Sequence, residues 1–452
     1  MELEKQEGSR GEKRESGQAE ELIELEGEEA AEMDRETALE LDEKTADIIK
    51  LQFSDLCGRL KSVEIPGRAE PGWERLEAVE AEAVTGETEE RPELGEGRKR
   101  GSKRREMVFL KPEWDTWLPM SWETGTGDAA RVICQVADRE GSPMWSDSRE
   151  VLKRELLRQE RRGRTFQFAF GCEFFLFHTD EEGRATTVTH ETAGYCDGGT
   201  IDLAESVRRD MLLGLEEAGI QVEYVTHGCA PGQHVFRLKA RRGVQAADEL
   251  LAFRAIIRRT AKSHGLHASF MPKPLNGFGG SGLEIEVLPE LIQKSQGEEK
   301  ERKALCLEAA ERLRQSLGEM ALLTNPLVNS YRRLAALREE GADREDFVRS
   351  SETGLQFFLA DSSVNPYLAL AAVLAAGFGE QEERTKIQKD IKRQELPSTL
   401  GEAVSVFSES AGMRKLLGER LFSFYAEMKL KEWKRHISWV SDWELREYLS
   451  RY

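Results

Sequence analysis

Long apolar runs are missing from these 452 residues: no stretch approaches eighteen consecutive apolar side chains, which excludes a conventional membrane-spanning helix. Paired cysteines are missing too. The six cysteines, at 57, 134, 172, 196, 229 and 306, contain no C-x-x-C pair and no zinc-ligand spacing. A reduced, cytoplasmic chain is therefore expected. Positive charge is in short supply, with 65 Lys and Arg against 84 Asp and Glu and a net charge of -19. Such a surface repels nucleic acid and anionic membrane on average, so neither is expected as a partner. The local exception, Arg98-Lys99-Arg100 and Lys103-Arg104-Arg105, reads as a solvated loop. The N-terminus is acidic and carries no basic segment followed by an apolar one, so no export signal is expected. No Ser-His-Asp spacing and no partner for a cysteine nucleophile can be recognised, which leaves no hydrolase motif. Internal repeats are also missing.

The residues that are present divide the chain. Residues 1–44 are dominated by Glu, Lys, Arg, Gly and Ser, too few of them apolar to offset the entropy of ordering, and read as a disordered acidic tail. From Asp47 onward, Ile48, Ile49, Leu51 and Phe53 lead through Gly58 to Leu60, Val63 and Ile65, the pattern of a β-hairpin turning at Gly58. Residues 67–106 are polar and Glu- and Gly-rich, and read as a long exposed loop. Trp114, Trp117, Leu118, Trp122 and the strand Val132–Val136 then complete a small α+β domain over 45–140. The remainder, 141–452, alternates strand and helix signals. Phe166, Phe168 and Phe170 share one face of a strand continuing through Phe174 and Leu176. Asp202 and Glu205 have capping-box spacing for a helix through Glu217, closed by Gly219. Residues 399–450 are helix-rich, with apolar spacing at Leu416, Leu417, Leu421, Phe422 and Tyr425.

Five segments occur in order: Gly171-Cys172-Glu173-Phe174-Phe175-Leu176-Phe177, APGQH at 230–234, MPKP at 271–274, NPLVNSYRRL at 325–334 and NPYLALA at 365–371. Together they resemble type I glutamine synthetase. That resemblance implies an α+β fold with an N-terminal β-grasp domain and a large catalytic-type domain built on a curved antiparallel sheet. It also implies ATP-dependent joining of ammonia to glutamate through a γ-glutamyl phosphate, with Mg²⁺ or Mn²⁺ held mainly by glutamates to neutralise the crowded phosphate and carboxylate charge.

The family's ligand positions can be followed one by one. Where it has two acidic residues flanking a single residue before Phe-Phe, this chain has Gly171 and Glu173. The two glutamates of the APGQ segment are replaced by Gly228 and Val235. In the strand after MPKP, Glu284 stands for a metal-binding histidine and Glu286 for a histidine facing ATP phosphate, where a carboxylate would repel. Gly354, Gln356 and Phe358 replace an arginine, a metal-binding glutamate and a second arginine; Phe358 cannot supply a guanidinium fork. The family's Asp-Gly-Ser-Ser loop has no counterpart in 67–106. Its Asn-Arg-Ser and Ile-Arg-x-Pro segments are gone as well.

By resemblance, metal-ligand candidates are Glu173, Glu284 and Gln356, and catalytic candidates are Arg333, in the glutamate-binding position, and Glu339, in the position of the closing flap. Arg333 reads equally as a grip for a small carboxylate or as an ion-pair partner within the fold. His227 and His234 read as structural. The leading expectation is a glutamine-synthetase-like pseudoenzyme with a regulatory, structural or ligand-sensing role, binding a small amino acid. It would form the family's two stacked six-membered rings or join a genuine glutamine synthetase in mixed rings. The alternative is a divergent ATP- and Mg²⁺-dependent carboxylate–amine ligase in which Glu173, Glu284 and Glu286 bind one cation.

Overall fold

The hairpin expected at Gly58 opens the described chain: β1 (Ile48–Ser54) runs antiparallel to β2 (Leu60–Pro66), with Ser54 opposite Leu60. The computed structural model describes residues 46–67, 77–85, 107–120, 127–293, 297–379 and 396–452. The expected acidic tail, the basic run and Trp122 lie outside the described residues. Gly58 has φ +73°, and a Cβ there would sit 2.6 Å from the Cα of Asn365, so both conformation and contact require glycine. Asp55 holds the turn, accepting from the backbone N–H groups of Cys57 (3.0 Å) and Arg59 (2.9 Å) and from the Arg59 guanidinium (2.7 Å).

The first sheet has strand order β2-β1-β5-β4-β3, where β3 is Glu77–Glu80, β4 Met107–Pro119 and β5 Ala129–Ala137. Only β1 and β5 pair in parallel among these strands. Alternation places Leu51, Phe53, Val132, Cys134, Val108 and Leu110 in one core, against which Trp114 and Trp117 pack. Residues 77–85, expected as loop, instead form β3 and a short helix, α1 (Ala81–Thr85). The polar composition concealed Val84, which is buried in this core.

The second sheet is antiparallel throughout, in the order β12-β13-β11-β6-β9-β8. Its centre is β6 (Arg164–Thr179), flanked by β9 (Gln233–Arg242) and β11 (Leu283–Leu291). The remaining strands are β8 (Val222–His227), β12 (Val348–Ser350) and β13 (Leu355–Phe357), while β7 (Ala185–Thr189) and β10 (Leu266–Ser269) pair with the far end of β6. One face of β6, from Phe166 to Leu176, is buried under α2 (Ser148–Glu160) and α4 (Gly243–Ser263). There Phe174, Phe236, Phe253 and Phe270 form a ring cluster with centroids 5.4–6.4 Å apart.

Helix α3 (Glu205–Glu217) begins two residues later than a cap at Asp202 implies and ends as expected before Gly219, whose φ of +70° lets Ile220 N–H reach the Leu215 carbonyl at 2.9 Å. The expected capping box does not form. Ala204 is the N-cap, and Asp202 instead binds the Arg208 guanidinium, a stronger partner for its carboxylate. Helix α5 (Glu298–Thr324) packs on α7 (Pro366–Phe378), which also packs on α2. Helix α7 is apolar on every side, so it can exist only in the interior. Its start explains the NPY segment: Asn365 Oδ1 accepts from Tyr367 and Leu368 N–H (3.0 and 3.3 Å), with Pro366 in the first turn where no N–H is needed. The Asn365 amide also donates to the Asp55 and Leu56 carbonyls, fastening the β1–β2 turn to the larger unit. Helix α6 (Val328–Glu339) carries the NSYRRL segment. The C-terminal region is helical as expected: α8 (Leu400–Glu409), α9 (Ala411–Leu417), α10 (Glu419–Ile437) and α11 (Asp442–Tyr448). Among the described residues, no helix is long and apolar enough to cross a membrane.

Candidate functional site

The face of β6 opposite the aromatic cluster carries Gly171 and Glu173. Strand register brings Arg237 opposite Gly171 and Val235 opposite Glu173 from β9, Glu284 opposite Gly171 from β11, and Gln356 opposite Glu286 from β13. Alternation along β9 and β11 turns Gln233, Val235, Arg237, Glu284 and Glu286 to this same face. Four strands thus converge on one polar patch.

Arg237 is its centre. The guanidinium Nη1 lies 2.9 Å from Glu284 Oε1, Nη2 donates to Glu286, and Nε is 3.6 Å from Glu223 Oε2. The Glu284 oxygen nearest Arg237 also accepts from Gln356 Nε2 at 3.1 Å. Burial pushes the Glu286 carboxyl pKa up and Arg237 pulls it back, while Glu284 and Glu223 add to the rise; the net direction is upward. A Cβ at position 171 would lie 3.0 Å from Glu284 Oε2 and 3.7 Å from Arg237 Nη1. Glycine there is therefore the space into which the ion pair folds.

Glu173 is held differently. Its Oε2 accepts from the Gly282 N–H at 2.7 Å and from Gln233 Nε2 at 3.2 Å. Burial raises its pKa, and the Gly282 N–H, Arg333 and Gln233 oppose the rise without cancelling it. Arg333 is buried alongside, donating to the Leu359 carbonyl at 3.0 Å and the Phe358 carbonyl at 3.3 Å. Burial lowers its pKa against the pull of Asp361 and Glu173. A Cβ on Gly282 would meet Arg333 Nη2 at 2.8 Å, so this glycine too makes room for an arginine. Gly228 follows the same pattern: its missing side chain is replaced by that of Gln233, whose Cγ would lie 2.6 Å from a Cβ.

A hard divalent cation needs several oxygen ligands turned toward one gap. Here Glu284 and Glu286 are turned toward a guanidinium and Glu173 Oε2 accepts two N–H groups, so these residues do not fit the metal pair that the resemblance implies. The structure brings Glu173, Glu284, Gln356 and Arg333 together. Glu339 stands apart, at the end of α6, where it lines a cavity of about 890 Å³ with Lys273, Asn276 and Arg332 that none of those four residues lines. Sequence reasoning missed Arg237 and Gln233. The signal available was alternation: both share the Val235 face of a strand already singled out.

A second polar cluster lies on the buried face. Ligand atoms of Glu191, His227 and His234 all lie within 4.8 Å of one another. His227 Nδ1 is 2.8 Å from the Gly228 carbonyl and its Nε2 2.7 Å from Glu191 Oε1. Both contacts are with acceptors, which calls for a proton on each nitrogen. Burial lowers the His227 pKa, but the Glu191 and Gly228 hydrogen bonds outweigh it and the net shift is upward. Arg208 Nη1 lies 3.4 Å from His234 Nδ1, which places the His234 proton on Nε2. Both His227 nitrogens and His234 Nδ1 are thus engaged by neighbouring groups, while His234 Nε2 is buried without a hydrogen-bond partner.

A sequence profile described as the catalytic domain of glutamine synthetase matches residues 146–448. The chain belongs to the glutamine synthetase family. A glutamine synthetase from Clostridium saccharobutylicum is 34% identical, covering 89% of this chain and 96% of that protein. One from Staphylococcus epidermidis is 32% identical, covering 89% and 95%. Among solved structures, a GmaS/ADP complex superposes with a TM-score of 0.74 at 23% identity, covering 91% of this chain and 99% of that one. Plasmodium falciparum glutamine synthetase gives 0.73 at 16%, covering 91% and 98%. These structures establish the shared fold, in agreement with the expected α+β architecture. Within this glutamine synthetase family member, the patch around Arg237 occupies the strands on which the family motifs fall.

Proposed function

We propose that this glutamine synthetase family member is a pseudoenzyme for glutamate–ammonia ligation and that its patch serves a regulatory, ligand-sensing role. The observation that carries the reading is the Arg237 guanidinium held between Glu284 and Glu286. Phosphoryl transfer to a carboxylate gathers negative charge that divalent cations must bridge and neutralise. A guanidinium fixed to two carboxylates balances those carboxylates instead, and offers no open coordination position. Glu286 adds negative charge where the resemblance expects a contact to triphosphate. Mg²⁺ or Mn²⁺ and ATP are thus not assigned to this patch.

The partner is proposed to be a small amino acid, bound singly or within a ring, made either of this chain alone or of this chain with an intact glutamine synthetase. A divergent ATP-dependent carboxylate–amine ligase is the second reading, favoured by the 34% identity to a glutamine synthetase and by the retained Glu173. Production of γ-glutamyl hydroxamate and ADP from glutamate, hydroxylamine, ATP and Mg²⁺ or Mn²⁺ separates the two. The proposal expects no turnover. Turnover abolished by Glu173→Ala refutes it. Thermal stabilisation by glutamate or glutamine without nucleotide is the expected signature of sensing.

A further inference from the structure

On the other side of β6, under the aromatic face, lies a cavity of about 990 Å³ bounded by the β1–β2 turn, α4, the end of β10, the segment Ser362-Ser363 that precedes α7, and α10. Seven lysine and arginine side chains line it against one acid among the described lining residues, Glu432. In a chain of net charge -19, this concentration of cations opposes the overall composition. None of the residues around Arg237 lines this cavity.

Two of its cations are buried: Lys429, 1% exposed and paired with Glu432 at 2.9 Å, and Arg254, 4% exposed. Arg254 Nη1 donates to the Val364 carbonyl at 2.8 Å, while its Nε and Nη2 have no hydrogen-bond partner. One turn along α4, Arg258 lies over the Phe270 ring, 4.8 Å from its centroid. Burial and the neighbouring Arg254 together push the Arg258 pKa down to about 10. Burial and Arg258 likewise lower the pKa of His267 on the same wall. Arg254 is buried while Arg258 and His267 are exposed beside it, and the mutual repulsion of such neighbouring cations is relieved when an anion binds between them. Lys434 and Arg435 from the last turn of α10 close the rim.

We infer that this cavity binds a small molecule bearing two or more phosphate groups. Adjacent guanidinium forks match phosphate oxygens, lysines supply point charge around them, and the volume is at the upper end of small-ligand sites. Arg254, whose Nε and Nη2 are closed off from solvent, would supply uncompensated positive charge behind the innermost phosphate. The Ser362 and Ser363 hydroxyls lie on the same wall. The inference is independent of what happens around Glu173.

Titration calorimetry on the full chain, with inorganic pyrophosphate and then tripolyphosphate at low salt in EDTA, tests it. EDTA removes any metal-dependent nucleotide binding elsewhere on the protein. Saturable binding is expected, weakened at least tenfold in Arg258→Gln/Arg435→Gln, on the order of losing charge-assisted contacts. Glu432→Gln removes the one acid and is expected to tighten binding about twofold, a gain that misfolding cannot imitate. Absence of saturable binding up to millimolar pyrophosphate, or equal affinity in the folded Arg258→Gln/Arg435→Gln variant, overturns the inference. So does binding of a short Glu-rich peptide without binding of pyrophosphate, which would assign the cavity to an acidic polypeptide.

Discussion

Replacing Arg237 with alanine removes the cation from between Glu284 and Glu286 and leaves two carboxylates from one face of β11 beside one gap. Removing one partner of a fully buried ion pair costs about 3–5 kcal/mol. The Arg237 side chain is 8% exposed, but both glutamates keep about 20% exposure, so solvent relieves part of the penalty. A loss of about 2–3 kcal/mol at neutral pH is expected. The pH dependence gives the sharper signature. Glu286 already titrates above its ordinary value because burial and its acidic neighbours outweigh Arg237. Without the guanidinium it rises further. A carboxyl raised above its unfolded value favours the fold below the unfolded pKa and loses that contribution as pH rises through the folded pKa. The wild-type and Arg237→Ala urea midpoints are therefore expected to lie close together near pH 4 and to separate toward pH 8. Mn²⁺ is expected to stabilise Arg237→Ala, whose carboxylates are then free to ligate it, and to leave the wild type unchanged. A loss below about 0.5 kcal/mol at every pH would make the ion pair a screened bystander. Equal stabilisation of both proteins by Mn²⁺ would refute the reasoning altogether.

His234 is buried, and burial, Arg208 and His227 together hold its pKa well below the ordinary value. The unfolded chain takes up a proton there that the fold refuses, so stability falls as pH drops below about 6.5. His227 is shifted the opposite way, and its stabilisation is fully present below its unfolded pKa and lost as pH rises through its folded pKa. His234→Gln is expected to flatten the acid-side fall in urea midpoint between pH 7 and pH 5; an unchanged slope would count against the network. Gly58→Ala is expected to cost about 1–3 kcal/mol, because it forces a left-handed alanine against the Asn365 backbone; chemical denaturation measures it. In native protein, Cys196 and Cys229 should react rapidly with a thiol reagent while Cys134, Cys172 and Cys306 do not, since only the first two of these five are exposed; mass spectrometry of the labelled peptides reads the outcome.

Much of the fold is local enough to be read from sequence. Alternation in β6, the turn at Gly58 and the Asn-Pro start of α7 each follow from residues within a few positions of one another. The site is less legible because its partners are not. Arg237 and Glu286 are separated by 49 residues and meet only through the register of β9 and β11 on either side of β6. Reading each family position separately shows what is missing at 171, 228 and 235, while the side chains that refill those spaces come from other strands. Asp202 fails as a cap for a related reason: spacing identifies a carboxylate that could reach backbone N–H groups, but Arg208 competes for it. Glu191 lies in a connection beyond β7, where no periodic signal marks it as the partner of His227.

Gly171 carries one further consequence, which concerns the order in which substitutions can accumulate. An acid restored there alone would enter space held by the Glu284 carboxylate, its Cβ already 3.0 Å from Oε2. It would bring another negative charge beside two that are matched to a single arginine. Removing Arg237 alone strands Glu284 and Glu286 instead. Each reversal is unfavourable until the other has happened, so the pair behaves as a ratchet: the arginine and the glycine protect one another against stepwise return.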